Sequence, residues 1–236
     1  MKLALFVCTA PLCLAQVVIT PSPDGARVEI GGKPFTELFL TGGGSMKPYL
    51  HPLRAATGTY VTRMWPMSEV AGEPHDHQHQ RGSYFGHADV NGVDFWANEE
   101  SYKTTNRGRE APAGPVAIRG SSIILRLNWT DPRDIVLLEE RRTITFHPDS
   151  DRRVMDFDTT LTAKQRVTFG DEKDGLFAIR LRPELQVLLA SGYPASALPG
   201  GNAGSEDGEF PFLSKPYRAS ELARKLGAMQ PRARTR

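Results

Sequence analysis

The sequence predicts an all-β protein, an antiparallel β-sandwich, and three observations carry that reading. Short runs of β-branched and aromatic residues recur about every ten residues. Glycine (22) and proline (18) are frequent and fall between those runs, where turns are needed. Helical periodicity is nearly absent before the last fifty residues or so.

The elements follow in chain order. Residues 16–20 and 26–30 read as strands split by the turn Pro21-Ser22-Pro23-Asp24-Gly25. Gly31-Gly32-Lys33-Pro34 turns the chain into a strand over 36–40, and residues 60–65 form another β-rich run. Asn91-Gly92 is a hairpin signal between 88–90 and 93–95, because both central positions of a type I′ turn need positive φ. Segments 116–118, 123–129, 135–139 and 142–146 are short and β-rich. Thr143-Ile144-Thr145-Phe146 and Met155-Asp156-Phe157-Asp158-Thr159 alternate with period two, as half-buried strands do. Segments 166–169 and 176–181 complete the series.

Both ends depart from this pattern. Met1-Lys2 followed by an apolar run through Leu14 and small residues before a cut after Ala15 reads as a signal peptide over 1–15, which implies a secreted or periplasmic protein. Both cysteines, Cys8 and Cys13, lie inside it, so the mature chain has no disulfide and no thiolate nucleophile. Residues 16–185 form the sandwich domain. Residues 186–236 are a low-complexity tail, with one amphipathic helix over 220–229.

Composition narrows the partners. In 236 residues, 29 Lys and Arg against 27 Asp and Glu give a net charge of +2, with no basic field for nucleic acid. No 18-residue apolar run lies outside the N-terminus, which excludes a bundle of membrane spans. A small-molecule or glycan ligand fits this balance.

Chemistry concentrates in residues 75–96. Four of the six histidines, His75, His77, His79 and His87, lie there. If 75–79 is extended, the three odd-numbered imidazoles share a face, and neighbours could chelate an ion with a further ligand from His87, Asp89 or Asp94. The shared face could equally present acid/base or hydrogen-bonding groups to a polar substrate, or be a solvated loop. Trp65, Tyr84, Phe85, Phe95 and Trp96 lie nearby, and flat aromatic faces beside His, Arg and carboxylates suit the C–H faces and hydroxyls of a sugar. Each aromatic could also be ordinary core. Arg180, set between Ile179 and Leu181, must face solvent, a carboxylate or a polar ligand.

The chain resembles the PmoA-like family, secreted bacterial proteins that carry the label "methane oxygenase PmoA". The resemblance spans about residues 17–185. It rests on Lys47-Pro48-Tyr49, His51-Pro52, Gly58-Thr59-Tyr60-Val61-Thr62-Arg63, the His-rich run through Val90-Asn91-Gly92-Val93-Asp94-Phe95-Trp96, and 168–180. It implies a sandwich of the galactose-mutarotase type and a sugar-related role. Literal methane oxidation conflicts with the absence of transmembrane helices. Gln80 stands where the resemblance implies another histidine. Past the Arg180 strand the resemblance implies further strands with Trp and His, whereas this chain enters its tail, so the sandwich reads as truncated or frame-shifted.

Three functions follow as expectations. The first is a carbohydrate-active enzyme, mutarotase-like or hydrolytic. It would use His77, His79, His87, Asp89, Asp94 and Asp171 as acid/base or carboxylate groups, and Arg63, Trp65, Tyr84, Trp96 and Arg180 to bind substrate. The second is a carbohydrate-binding module without turnover. The third is a metal-binding protein using His75, His77 and His79. No cofactor is required by the first two, and a divalent metal defines the third.

Overall fold

A computed structural model describes residues 15–99, 105–191 and 211–229. The signal peptide expected over 1–15, with both cysteines, falls almost wholly outside them, as do 192–210 of the tail. The described chain divides into two compact units, ending and beginning at Arg182 and Pro183.

The first unit is an antiparallel sandwich. Its larger sheet contains β1 (Val17–Ser22), β2 (Gly25–Ile30), β3 (Lys33–Phe39), β4 (Tyr49–Leu50), β5 (Ser83–His87) and β11 (Gly175–Ile179), in the order β1-β2-β3-β4-β5-β11. The second sheet has β10 (Met155–Ala163), β9 (Val136–Phe146), β8 (Ser122–Thr130) and β6 (Arg109–Pro112) in that order, with β7 (Ala117–Arg119) also paired to β8. The segments expected at 135–139 and 142–146 are one continuous strand, β9. Its alternation runs straight through Glu140 and Arg142, which are buried as an ion pair.

Strand alternation sets which side chains meet between the sheets. Ala26, Val28, Ile30, Phe35, Leu38 and Leu50 from one sheet pack on Ile123, Leu125, Leu127, Ile144 and Phe146 from the other. Farther along, Phe85 meets Trp129 edge-on at 5.9 Å between ring centroids. Burying a dozen such side chains, at roughly 1.5–3 kcal/mol each, is the main favourable term in holding the sheets together.

Two expected strands are not strands. Segment 60–65 contributes only single bridges, Arg54 to Tyr60 and Thr62 to Leu181, and 166–169 only one, Val90 to Phe169. Asn91 (φ 56) and Gly92 (φ 78) do form the tight turn between Val90 and Val93.

In the second unit, β12 (Leu189–Ser191) pairs in parallel with β13 (Phe212–Ser214). The helix expected at 220–229 is α1 (Ala219–Ala228), opened by Glu221, which accepts a hydrogen bond from the Arg218 backbone N–H. Among the described residues no helix is long and apolar enough to cross a membrane.

Candidate functional site

The outer face of the larger sheet carries the site. Leu38, Leu50 and Phe85 face the second sheet, so their neighbours Phe39, Tyr49 and Tyr84 face away from it. The register places these three in one row across β3, β4 and β5, with Ala178 of β11 next. Phe39 and Tyr49 stack at 5.1 Å. Tyr84 meets Trp96 at 4.9 Å, and the Lys47 ammonium lies 4.9 Å from the Tyr84 ring centre.

A cleft of about 590 Å3 opens over the Phe39–Tyr49 end of this row. Aromatic and apolar groups (Phe39, Tyr49, Trp65, Pro66, Met67) form part of its lining, and Asp24, Thr41, His51, Gln78 and Arg81 supply polar groups. His51 follows Tyr49 by two residues and shares its face. The volume lies within the range of pockets that take small organic ligands.

The polar floor is fixed from behind. Arg81 donates from Nε and Nη2 to the two carboxylate oxygens of Glu99, both at 2.7 Å, and from Nη2 to the Gly43 carbonyl at 2.6 Å. Arg81 and Glu99 are both buried, so each charge is matched where water cannot screen it. Gly82 follows with φ 52, and a side chain there would run into the Leu50 carbonyl. That bend brings Arg81 out of β5 to the cleft. Burial pushes the His51 imidazole down to about 4, with the charges of Arg54 and Arg81 adding to the effect. At neutral pH it is a neutral hydrogen-bonding group.

One wall is the loop 64–81, which carries Trp65, Gln78 and Arg81. Two carboxylates pin it. Glu73 Oε2 accepts from the backbone N–H groups of Met64 (2.8 Å) and Trp65 (3.1 Å). Asp76 accepts from Arg63 Nη1 at 2.9 Å and Arg180 Nη2 at 2.7 Å, and His77 Nδ1 lies 2.9 Å from its Oδ2. Burial opposes ionisation of Asp76, but hydrogen bonds from Arg180 and His77 and the two guanidinium charges outweigh it and hold the carboxyl well below its usual range.

The histidines do not line one face. His77 has φ 48, so segment 75–79 is bent rather than extended. His75 stacks on Trp65 at 4.1 Å and 10°. His77 is half-exposed, and His79, edge-on to it at 5.8 Å, is buried. Burial pushes the His79 imidazole down to about 4, and the charges of Lys47, His77 and Arg180 add to this. The metal set of His75, His77 and His79 is therefore corrected. Among the described residues no group of three His, Cys, Asp or Glu is placed to hold an ion.

The other expected residues divide. Arg63, Arg180, His77 and His79 gather around Asp76, and Tyr84 and Trp96 gather around Lys47. His87, Asp89 and Asp94 belong to a different task. Asp89 Oδ1 accepts from Gly92 N at 2.6 Å, Asp94 Oδ1 from the amides of Trp96 and Ala97 at 2.7 and 2.8 Å, and His87 Nδ1 from Asp89 N at 3.1 Å. Asp89 and His87 thus brace the entry to the Asn91-Gly92 turn, and Asp94 holds the chain as it passes into Trp96-Ala97. Asp171 is exposed on the segment before β11. The joint site expected from His77, His79, His87, Asp89, Asp94 and Asp171 is not formed.

The sequence reading missed Asp24, Phe39, Tyr49, His51, Asp76, Gln78, Arg81 and Glu99 as site residues. One signal was present. Tyr49 and His51 alternate around Leu50, which marks a strand with one apolar face and one functional face.

Neither curated proteins nor solved structures match the chain. A family model, described as a family of unknown function, DUF6807, matches residues 25–209 and so covers both sheets apart from β1 and the cleft lining apart from Asp24. The chain belongs to the DUF6807 family.

Proposed function

We propose that this protein binds a carbohydrate in the cleft over Phe39 and Tyr49. The observation that carries the reading is the lining: aromatic surface from Phe39, Tyr49 and Trp65 beside hydrogen-bonding groups from Asp24, His51, Gln78 and Arg81. A sugar ring offers the matching pair of surfaces, apolar C–H faces and a rim of hydroxyls. The cleft is large enough for one or two rings. The resemblance to the PmoA-like family points to the same ligand class. A secreted or periplasmic location, proposed from the N-terminal sequence, would bring the protein into contact with free glycans.

Binding is favoured over hydrolysis because Asp24 is the one carboxylate in the lining among the described residues. Hydrolases need two carboxyl groups flanking the scissile bond. A glycan array followed by titration of the full chain with the best mono- and disaccharides tests the proposal. Saturable binding that weakens on Trp65→Ala is the expected result. Absence of binding to any glycan would reject it.

Turnover is a second reading, favoured by the His77–Asp76 pair. A half-exposed imidazole in a strained backbone, oriented through Nδ1 by a carboxylate that two arginines fix, has the arrangement of a general base. Incubation with a sugar panel decides it: conversion that disappears in His77→Ala supports catalysis, and no conversion leaves binding as the function.

A further inference from the structure

The charges around the cleft differ in how much of each is left for a ligand. Among the described residues Arg81 is the one cation in the lining, and it donates two hydrogen bonds of 2.7 Å to Glu99 and a third to the Gly43 carbonyl. Its charge is matched by a carboxylate that is itself buried. His51 is buried and lies beside Arg54 and Arg81, which disfavours a second positive charge there. Asp24 is different. It is exposed at the tip of the β1–β2 turn, held by a backbone bond from Leu40 N to its carbonyl at 2.8 Å, and its carboxylate forms no ion pair among the described residues. The lining together with Glu99 therefore carries one positive and two negative charges. Beyond the lining, Asp76 offsets one of the guanidiniums of Arg63 and Arg180.

We propose that the cleft selects neutral or amino-bearing sugars and rejects carboxylated ones, with Asp24 as the residue that sets this preference. The inference rests on the carbohydrate reading and names the substrate class within it. A uronate carboxylate entering the cleft would meet Asp24, while the cation in the described lining, Arg81, is already matched by Glu99, and like charges at close range in a partly enclosed cleft repel. A neutral sugar would instead offer hydroxyl donors to the Asp24 oxygens. An amino sugar would offer an ammonium, giving a charge-assisted hydrogen bond.

The test is titration of the full chain, followed by NMR, with glucose, glucosamine and glucuronate and with their galactose-configured counterparts. In low salt, where surface charge is least screened, glucuronate or galacturonate should bind about ten-fold or more weakly than its neutral counterpart. Asp24→Asn should close most of that gap, read within the variant as the ratio of uronate to neutral-sugar affinity, since the uncharged amide no longer repels a carboxylate. A uronate that binds as well as or better than its neutral counterpart overturns the inference and leaves the carbohydrate reading standing. So does an unchanged gap in Asp24→Asn. Failure of all six sugars to bind overturns the carbohydrate reading itself, and the inference with it.

Discussion

Arg81 and Glu99 form a two-pronged ion pair beneath the cleft, Nε to Oε1 and Nη2 to Oε2, both 2.7 Å, with both side chains buried. Removing one partner strands the other charge away from water. Glu99→Gln should therefore cost about 3–5 kcal/mol in a urea unfolding titration. Arg27→Ala, which breaks an exposed pair with Glu37 at 3.3 Å, should cost less than about 1 kcal/mol. Equal losses in the two variants would mean that burial does not set the strength of the Arg81–Glu99 pair.

A second buried cluster predicts a pH dependence. Arg142 binds Glu140 through Nε (2.7 Å) and Nη2 (3.0 Å), and Glu110 through Nη2 at 3.1 Å, so one guanidinium serves two carboxyls. Trp129 Nε1 and Thr159 Oγ1 also donate to Glu140. Glu110 is the less well supplied. Burial pushes it up to about 8, with the Glu140 charge adding to this against the opposing charge of Arg142. The folded protein then keeps a proton on Glu110 that the unfolded chain releases above the ordinary glutamate value of 4.5. Stability from this group falls as pH rises from 4.5 to 8. His51 and His79, both held down to about 4, act oppositely: their contribution is lost as pH falls from 6.5 towards 4. Lys47, pushed down to about 8 by burial, exerts most of its effect above that pH. Between pH 6.5 and 8 the Glu110 effect should exceed the residual opposing contributions of His51, His79 and Lys47, so that stability falls across the window. Thermal melts across this window check it, and Glu110→Gln should flatten the slope.

The Asp76 bridge makes a prediction about the cleft wall. Its carboxylate is 42% exposed, so the ion pairs to Arg63 and Arg180 contribute little to global stability. They join the loop 64–81 to the strand end at Arg180. Asp76→Asn removes the charge and one acceptor. The expected outcome is a loss of under about 1 kcal/mol in unfolding, together with faster amide exchange confined to the loop 64–81 and weaker ligand binding. Unchanged exchange in that loop would show that Glu73, through the Met64 and Trp65 amides, is sufficient to hold the wall.

The sequence made the sandwich legible because period-two alternation survives wherever a strand separates core from solvent, as in Met155–Ala163. It hid β5. All five residues from Ser83 to His87 are buried, so no polar–apolar alternation remains, and the run looked like part of a polar loop. Arg180 was open to three readings and proves to have a carboxylate partner, Asp76, 104 residues away in sequence. The histidine cluster misled for a local reason. Equal spacing implies a shared face only in an extended backbone, and the positive φ of His77 breaks that condition. Phe39 and Tyr49 could not be paired from sequence, because their contact depends on the β3–β4 register.

Trp65 gives the most direct access to the cleft. Of the three tryptophans, Trp129 is fully buried and Trp96 is 8% exposed, whereas Trp65 lies half-buried in the cleft lining. One face is taken by His75 at 4.1 Å, and its ring belongs to a loop rather than to either sheet. A ligand entering the cleft should therefore change the emission of Trp65 and leave the other two indoles nearly unaffected. Trp65→Phe should abolish the fluorescence response while retaining most of the affinity, because a smaller aromatic face remains for the sugar ring. Trp65→Ala should weaken binding ten-fold or more, about 1.4 kcal/mol, with little change in the unfolding midpoint. Phe39→Ala is the contrast. It removes the partner stacked on Tyr49 at 5.1 Å and should lower both stability and affinity. A fluorescence response that persists in Trp65→Phe would place the ligand against Trp96 and Tyr84 instead, at the Lys47 end of the same aromatic row.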